Sequence, residues 1–160
     1  MKKLLLTFLL LTSHGVLAQT KSWTVLIYWA VDNDLYEFSI PYLEQFTRIP
    51  KSSNLNLVLE YDYPDNRPTE RFHNFELIES IGERKSASPK TLTDFVEFGI
   101  ENYPADNYML IIASHGSNWS GVIDDTTSKS YMSLTSLRGA LKRINSALPS
   151  WADICEEWRR

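Results

Sequence analysis

The sequence predicts an α/β fold in which a mostly parallel sheet lies between helices. Two almost unbroken apolar runs, Trp23–Val31 and Tyr108–Ala113, contain many β-branched and aromatic residues, as expected of strands that are buried on both faces. A third run, Leu55–Tyr61, also has the composition of a strand. Amphipathic segments with helical spacing separate the three runs. This alternation implies right-handed crossovers and one parallel sheet.

The first strand ends at Asp32-Asn33-Asp34, and a helix is expected to follow it. Asp32 or Asp34 can accept hydrogen bonds from the first amides of that helix. Pro41 interrupts the helical pattern, so the helix either kinks there or begins at Ser39 with the proline in its first turn. The apolar positions with helical spacing are Leu35, Phe38, Tyr42, Leu43 and Phe46.

The middle of the chain predicts a strand, a hairpin and a second helix. Leu55–Tyr61 is the strand, and residues 63–68 are a loop because they contain prolines and turn formers. The apolar positions within Phe72–Ile78 indicate a short edge strand or hairpin. The sequence Thr91-Leu-Thr-Asp94 has the form of a capping box and introduces an amphipathic helix that ends at Pro104.

The last part of the chain predicts a strand, a loop and a helix. Tyr108–Ala113 has no polar alternation, so it is expected to be a central strand that is covered on both sides. Residues 121–127 are acidic and turn-like, and the pair Asp124-Asp125 is interpreted as a solvated loop. Ser133–Ala147 has the periodicity of a final helix.

The amino terminus has the three regions of a secretory signal peptide. Lys2 and Lys3 precede an apolar core, Leu4–Leu11, and Ala18 suits signal peptidase. This core is shorter than the roughly 20 residues that cross a bilayer. We therefore expect a leader over residues 1–19, one domain over residues 20–160, and a secreted or periplasmic protein that has no membrane contact after leader removal.

The charge balance makes nucleic acid an unsuitable partner. The formal net charge is −4, and losing the two leader lysines changes it by two further units, to −6. A protein of this charge does not attract the phosphate backbone globally.

A histidine and a glycine, His115 and Gly116, follow the strand Tyr108–Ala113 at its exposed end. Catalytic groups of open α/β sheets gather at the carboxyl ends of the strands. Histidine can take and return a proton near neutral pH, and glycine lets backbone amides approach a substrate carbonyl. His115 is therefore a candidate catalytic base, and the alternative is a hydrogen-bonded surface histidine.

Two kinds of site find little support in the spacing of the polar residues. Ser114 and Ser117 flank His115, but neither lies in a G-x-S-x-G turn, so we set a serine hydrolase aside. Metal-ligand types occur in the chain, but no known metal-binding spacing does, and calcium at the acidic pair is a weak alternative. These ligand types are His73, His115, Asp124 and Asp125.

A thiol nucleophile is the third kind of site. Cys155 is the only cysteine of the chain, so no internal disulfide forms. A histidine that lies near a cysteine in space can convert it to a thiolate that attacks acyl groups.

These motifs together resemble the clostripain family of cysteine peptidases. The run Tyr103–Trp119, with the sequence YPADNYMLIIASHGSNW, follows a strand and helix after Trp23 and precedes Gly121-Val with Asp124-Asp125. The resemblance implies a caspase-like α/β fold, a histidine–cysteine dyad, a polypeptide substrate and cleavage after a basic residue, usually arginine. It assigns the catalytic histidine to His115 and its neighbour at the oxyanion site to Gly116. No cofactor is otherwise assigned, and calcium is the one that the resemblance brings into consideration.

The carboxyl end departs from the pattern of the family, in which the nucleophile closes an apolar strand in a D-A-C-L-M-like motif and a long second half follows. Asp153-Ile-Cys155 keeps the D-x-C spacing, but Leu148–Trp151 is a poor strand and the sequence ends at Arg160. Either Cys155 is the nucleophile of a truncated product, or the reading frame diverged near Pro149 and Cys155 is incidental. We favour the second interpretation. The chain is then an incomplete peptidase that lacks its carboxyl-terminal half, or an inactive fragment or interaction domain on the same scaffold.

Overall fold

The computed structural model describes residues 20–117 and 119–147. The expected leader and Cys155 lie outside these residues. No helix in the described ranges is long and apolar enough to cross a membrane. The elements are β1 (Lys21–Ala30), α1 (Tyr36–Phe46), β2 (Leu55–Asp62), β3 (Glu70–His73), β4 (Glu76–Ser80), α2 (Pro89–Asn102), β5 (Ala105–Ala113), β6 (Gly121–Asp125), β7 (Ser130–Ser133) and α3 (Leu134–Ala147).

The main sheet has five strands in the order β4-β3-β2-β1-β5. The three long strands are parallel, with β1 between β2 and β5. The short strands β3 and β4 add an antiparallel hairpin at one side, where Asn74 and Phe75 make the turn with positive φ angles of 49° and 63°. The predicted α/β fold, with a mostly parallel sheet between helices, is confirmed, and so is the predicted hairpin.

Helices cover the two faces of the sheet because successive residues of β1 point to opposite sides. Leu26 and Tyr28 belong to one apolar cluster, which includes Phe95 of α2 and Ile144 of α3. Ile27 belongs to a second cluster, against which residues of α1 pack.

The first helix begins at Tyr36 and contains Pro41, so the alternative of a start at Ser39 is wrong. The expected cap at Asp32 or Asp34 is also wrong. The side-chain oxygen of Asn33 instead accepts the backbone N–H of Leu35 at 3.0 Å. The two aspartates are engaged elsewhere, as described below.

The second helix begins two residues before the predicted capping box, with Pro89 in its first turn. Proline suits this position because its missing N–H would have no partner there. The carboxylate of Asp94 accepts hydrogen bonds from Lys90 and Arg84 and caps no amide. The capping-box prediction at Thr91 is therefore wrong.

The strand that precedes His115 lies at the edge of the described sheet, so the prediction that it is central is wrong for this part of the chain. Met109 and Ile111 of this strand, β5, are 48% and 41% exposed. An apolar groove of about 190 Å³ lies beside them. Apolar composition indicated a covered strand but does not fix a strand's place in the order.

The segment interpreted as an acidic solvated loop is a strand. Gly121–Asp125 forms β6, which pairs with β7 in a separate antiparallel hairpin. Asp125 is fully buried, because backbone and hydroxyl groups surround its carboxylate. The acidic composition of this segment therefore led to the incorrect prediction of a loop.

Candidate active site

His115 lies just beyond the carboxyl end of β5, and Asp34 lies beyond the carboxyl end of β1. These strands are parallel neighbours, and Trp29 is paired with Ala113 near their ends. Parallel pairing brings the two following loops to the same edge of the sheet. Residues that are 81 positions apart in the chain therefore come into contact.

Asp34 and His115 form a hydrogen bond of 2.5 Å between Oδ1 and Nε2. The side chain of His115 is 38% exposed and that of Asp34 is 85% exposed, so solvent and substrate can reach the pair. The hydrogen bond to His115 lowers the pKa of Asp34, which keeps this carboxylate ionised. An ionised carboxylate only accepts, so Nε2 carries the hydrogen and Nδ1 is left as the basic nitrogen.

Gly116 stands in open space, since a Cβ added there would have no atom within 4 Å. Its backbone is therefore open to a group that arrives from outside the chain. The next residue, Ser117, donates its N–H to the carbonyl oxygen of Gly121 at 2.9 Å. This bond anchors the turn that follows His115.

Asn33 joins the strand ends that surround His115. Its side-chain amide donates to the carbonyl oxygens of Asp124 at 2.8 Å and Ala30 at 3.3 Å. It also lies 3.5 Å from the hydroxyl oxygen of Ser114, which accepts the N–H of Asp124. Ser114 therefore serves this network, and no described contact joins its hydroxyl to His115. Sequence analysis missed Asn33, although its position directly after a buried strand was a usable signal.

The metal-ligand types found in the sequence do not assemble into a site. His73 lies on β3, where its Nε2 is 3.2 Å from Asn56 and its ring stacks on Tyr103. Burial lowers the pKa of His73, as expected of a packed neutral histidine. Of the four ligand types found in the sequence, only Asp125 belongs to a group with metal-ligand geometry among the described residues.

A different acidic cluster is present at the same edge of the sheet. Asp32, Asp62 and Asp125 each offer a carboxylate oxygen, and these oxygens lie within 4.8 Å of one another. The residues lie at the ends of β1, β2 and β6, and all three are buried. In the described ranges this is the one group of acidic, histidine or cysteine residues with metal-ligand geometry. Its oxygen donors fit calcium, which the family resemblance brought into consideration.

Burial sets the protonation of this cluster. It raises the pKa of Asp62 to about 7, and hydrogen bonds from hydroxyl groups offset only part of this rise. Burial also raises the pKa of Asp32, and the neighbouring Asp125 adds to the effect. Like charges in low-dielectric surroundings resist ionising together.

Comparison with models of known protein families shows to which family the chain belongs. The model of the clostripain family, peptidase family C11, matches residues 27–148. The chain belongs to the clostripain family. The histidine strand and the Asp34–His115 pair lie within the matched residues, as does the acidic cluster.

Solved structures agree with the clostripain-family fold. An inactive zymogen C11 protease from Parabacteroides distasonis is 30% identical, with a TM-score of 0.64 over 80% of this chain and 40% of that one. A secreted C11 cysteine protease from Bacteroides thetaiotaomicron, solved with an irreversible peptide inhibitor, is 22% identical, with a TM-score of 0.66 over 76% of this chain and 39% of that one. The chain thus spans about two fifths of the length of these relatives. Curated protein sequences give no match.

Proposed function

We propose that this chain is an incomplete copy of a secreted cysteine endopeptidase of the clostripain family, which cleaves polypeptides after basic residues, usually arginine. The observation that carries the proposal is the hydrogen bond between Asp34 and His115 at the carboxyl edge of the parallel strands. It gives the histidine a fixed tautomer and leaves Nδ1 facing away from the carboxylate. The family resemblance supplies the preference for arginine.

The proposed reaction is acyl transfer through a thiol. Cys155, the only cysteine of the sequence, keeps the D-x-C spacing of the family's nucleophile and is the candidate here, against the interpretation in which it is incidental. Nδ1 of His115 takes the thiol proton as the sulfur attacks the peptide carbonyl carbon. The imidazolium then gives its proton to the leaving amine, and the carbon–nitrogen bond breaks. Water, deprotonated by the same nitrogen, hydrolyses the resulting thioester and frees the thiol.

Two further residues support these steps. The Asp34 carboxylate stabilises the imidazolium that forms on His115 and holds its ring in place, as a positioning residue does. The open backbone at Gly116 allows an amide N–H to reach the carbonyl oxygen that becomes negatively charged.

A second candidate function is a non-catalytic scaffold, in which the peptidase fold is kept without its chemistry. The sequence before Cys155 favours this candidate, because Leu148–Trp151 contains a proline and reads poorly as the apolar strand that carries the nucleophile in the family. A thiol that is not held within about 0.5 Å of its productive position contributes little to catalysis.

Hydrolysis of an arginyl amide by residues 20–160 tests both candidates. His115→Ala and Cys155→Ala should each lower kcat/KM by about 100-fold or more, since each removes a group that acts in the transition state. Asp34→Asn should lower kcat by about 10- to 100-fold with little change in KM, as the loss of an orienting partner does. The matched control is His73→Gln, which alters a histidine that lies on β3, away from the pair, and should keep wild-type turnover.

Labelling separates the two candidates when no turnover is detected. The chain is treated with an arginine-directed thiol-reactive inhibitor, and modification of Cys155 is followed by mass spectrometry. A rate of labelling that falls in His115→Ala supports the dyad. No turnover, together with labelling no faster than that of a free thiol, would contradict the peptidase and leave the scaffold.

A further inference from the structure

Arg67 is held at the same edge of the sheet as the Asp34–His115 pair, although no acidic side chain of the described residues forms an ion pair with it. It lies in the loop between β2 and β3 and is exposed to solvent. Fixing a long side chain in one position costs conformational entropy. The contacts that fix this exposed cation therefore call for an account.

Two tyrosine rings form the platform on which the guanidinium group lies. Its central carbon, Cζ, is 4.0 Å from the centroid of the Tyr63 ring and 5.4 Å from that of Tyr36. Nη1 donates a hydrogen bond of 2.7 Å to the Tyr36 hydroxyl. The two rings pack edge to face, with centroids 6.0 Å apart. A guanidinium group that stacks on aromatic faces can still offer N–H donors along its edge to a planar anion.

The backbone of the loop directs Arg67 toward this platform. Asp65 and Asn66 have positive φ angles of 65° and 57°, a conformation that Asp and Asn tolerate better than most residues. The N–H of Arg67 donates to the carbonyl oxygen of Pro64 at 3.3 Å. The chain therefore reverses direction after Tyr63, which brings the guanidinium group back over the ring of that residue.

The one carboxylate that acts on the charge of Arg67 is engaged elsewhere. Oε2 of Glu70 accepts the Tyr63 hydroxyl at 2.7 Å. The hydrogen bond to Tyr36 raises the pKa of Arg67, and Glu70 adds a smaller effect from a longer distance. The guanidinium group therefore stays charged. Its hydrogen bond to Tyr36 is the one that it makes among the described residues, so donors remain for a ligand.

The distance between Arg67 and His115 follows from the strand order. β2, β1 and β5 are adjacent in that order, and their carboxyl ends lie at about the same level. The loops that carry Arg67 and His115 follow β2 and β5, so two strand spacings separate them, about 10 Å. An extended peptide advances about 3.3 Å per residue, so about three of its residues span this distance.

We propose that Arg67 binds an acidic side chain of the polypeptide that lies across the Asp34–His115 pair, about three residues from the bond at His115. This inference rests on the proposed function, because it names a substrate feature that the same edge of the sheet recognises. A carboxylate in the plane of the guanidinium group accepts two parallel N–H bonds while the tyrosine rings hold the cation. Arg67 is thus a specificity-determining residue and takes no part in acyl transfer.

Peptide binding tests the site without requiring hydrolysis. Fluorescein-labelled peptides with blocked termini contain one arginine and a single aspartate, placed about three residues to either side of the bond that follows the arginine. Matched peptides contain asparagine in place of the aspartate. Fluorescence anisotropy with the full 160-residue chain carrying Cys155→Ala gives each Kd. In one of the two placements the aspartate peptide should bind about 10-fold more tightly than its match, and this preference should shrink as NaCl is raised.

Three variants make the test specific. Arg67→Gln should bring the Kd ratio of the matched peptides to about 1 and leave the Kd of the asparagine peptide unchanged, whereas loss of a merely structural arginine would weaken both peptides equally. Arg67→Lys keeps the charge without the planar fork, so it should keep a smaller preference, and it provides a second test if Arg67→Gln unfolds. Arg48→Gln removes the same charge beyond the other end of α1 and should keep the full preference.

Turnover of the same peptides by the chain with Cys155 intact separates failure of this site from failure of the peptidase. Tighter binding of the aspartate peptide without any hydrolysis would contradict the peptidase and keep the Arg67 site. Hydrolysis of the matched peptides with equal kcat/KM would keep the peptidase and overturn the site. A preference that persists in Arg67→Gln, or no binding of any peptide at millimolar concentration, would also overturn it.

Discussion

Breaking the buried ion pair between β2 and β3 should remove a large part of the stability of the fold. Nε of Arg71 lies 2.7 Å from Oε2 of Glu60, and the two side chains are 9% and 1% exposed. In Arg71→Met the new side chain can still cover the Phe98 ring, which the guanidinium carbon now approaches to 4.2 Å. Glu60 is then buried without its hydrogen-bonded counter-charge, and only the more distant charge of Arg84 still acts on it. Such a loss costs about 3–5 kcal/mol, out of a typical total of about 5–15 kcal/mol.

The pH dependence of this loss follows from the pKa of Glu60. Burial raises this pKa, and the charge of Arg71 opposes the rise. Without Arg71 the folded-state pKa rises further above its unfolded value. The destabilisation of Arg71→Met is then absent below the unfolded pKa, grows as pH rises, and is complete above the folded pKa. The variant should therefore be closest to wild type in acid.

Urea denaturation at about pH 5 and about pH 8 measures these effects. Arg71→Met should lose less at the lower pH, and Glu60→Gln in the same chain should restore most of the stability at the higher one. Lys51→Met is the control, because it breaks the Lys51–Glu76 pair, whose side chains are 59% and 72% exposed. An exposed pair contributes about 0–1 kcal/mol. A loss for Arg71→Met no larger than that of the control, or equal at both pH values, would refute the reasoning.

Three further predictions concern the site, the packing and the leader. In His115→Ala the pKa of Asp34 should rise toward its ordinary value, because the hydrogen bond that lowers it is gone; carboxyl ¹³C titration by NMR checks this, and an unchanged pKa would contradict the contact. Gly99→Ala should lower the free energy of unfolding by about 1–3 kcal/mol, since its Cβ would lie 2.3 Å from a methyl group of Leu26. Gly139→Ala has open space around it and should stabilise α3 by up to about 1 kcal/mol. Urea denaturation of the two variants tests these opposite changes in stability. Exported protein should begin near residue 19, as amino-terminal sequencing will show, and an intact Met1 would exclude cleavage after Ala18.

The strands and helices could be predicted because apolar periodicity records which side of each element is buried. Trp23–Val31 and Tyr108–Ala113 gave the two strands that carry the site, within a few residues of their observed bounds. The edge position of β5 could not be predicted, since apolar composition is the same for an inner strand and for an edge strand beside an exposed groove. The strand Gly121–Asp125 was missed because its two aspartates have the composition of a loop.

The position of His115 was predictable, but its partner was not. A histidine directly after an apolar strand marks the carboxyl edge of the sheet, which the structure places as expected. The contact with Asp34 depends on which strands are neighbours in the sheet, and the local spacing of residues does not predict this strand order. Asp32 was likewise expected to cap a helix and Asp125 to lie in a solvated loop, because burial of a carboxylate depends on donors from distant parts of the chain such as Ser86.

The edge position of β5 also determines how firmly the histidine is held. In the described sheet, β5 pairs with β1 along one side only. Its backbone N–H and C=O groups therefore point alternately toward β1, where they form ladder hydrogen bonds, and toward the unpaired side. Amide hydrogen exchange should therefore alternate along this strand. Amides that point toward β1 should exchange slowly, and the intervening amides should exchange fast. Among the residues that the structure describes, His115 follows a strand that has one row of ladder hydrogen bonds. The Asp34 contact therefore acts as a second tether, and its removal should widen the angular motion of the imidazole before it changes the melting temperature of the domain.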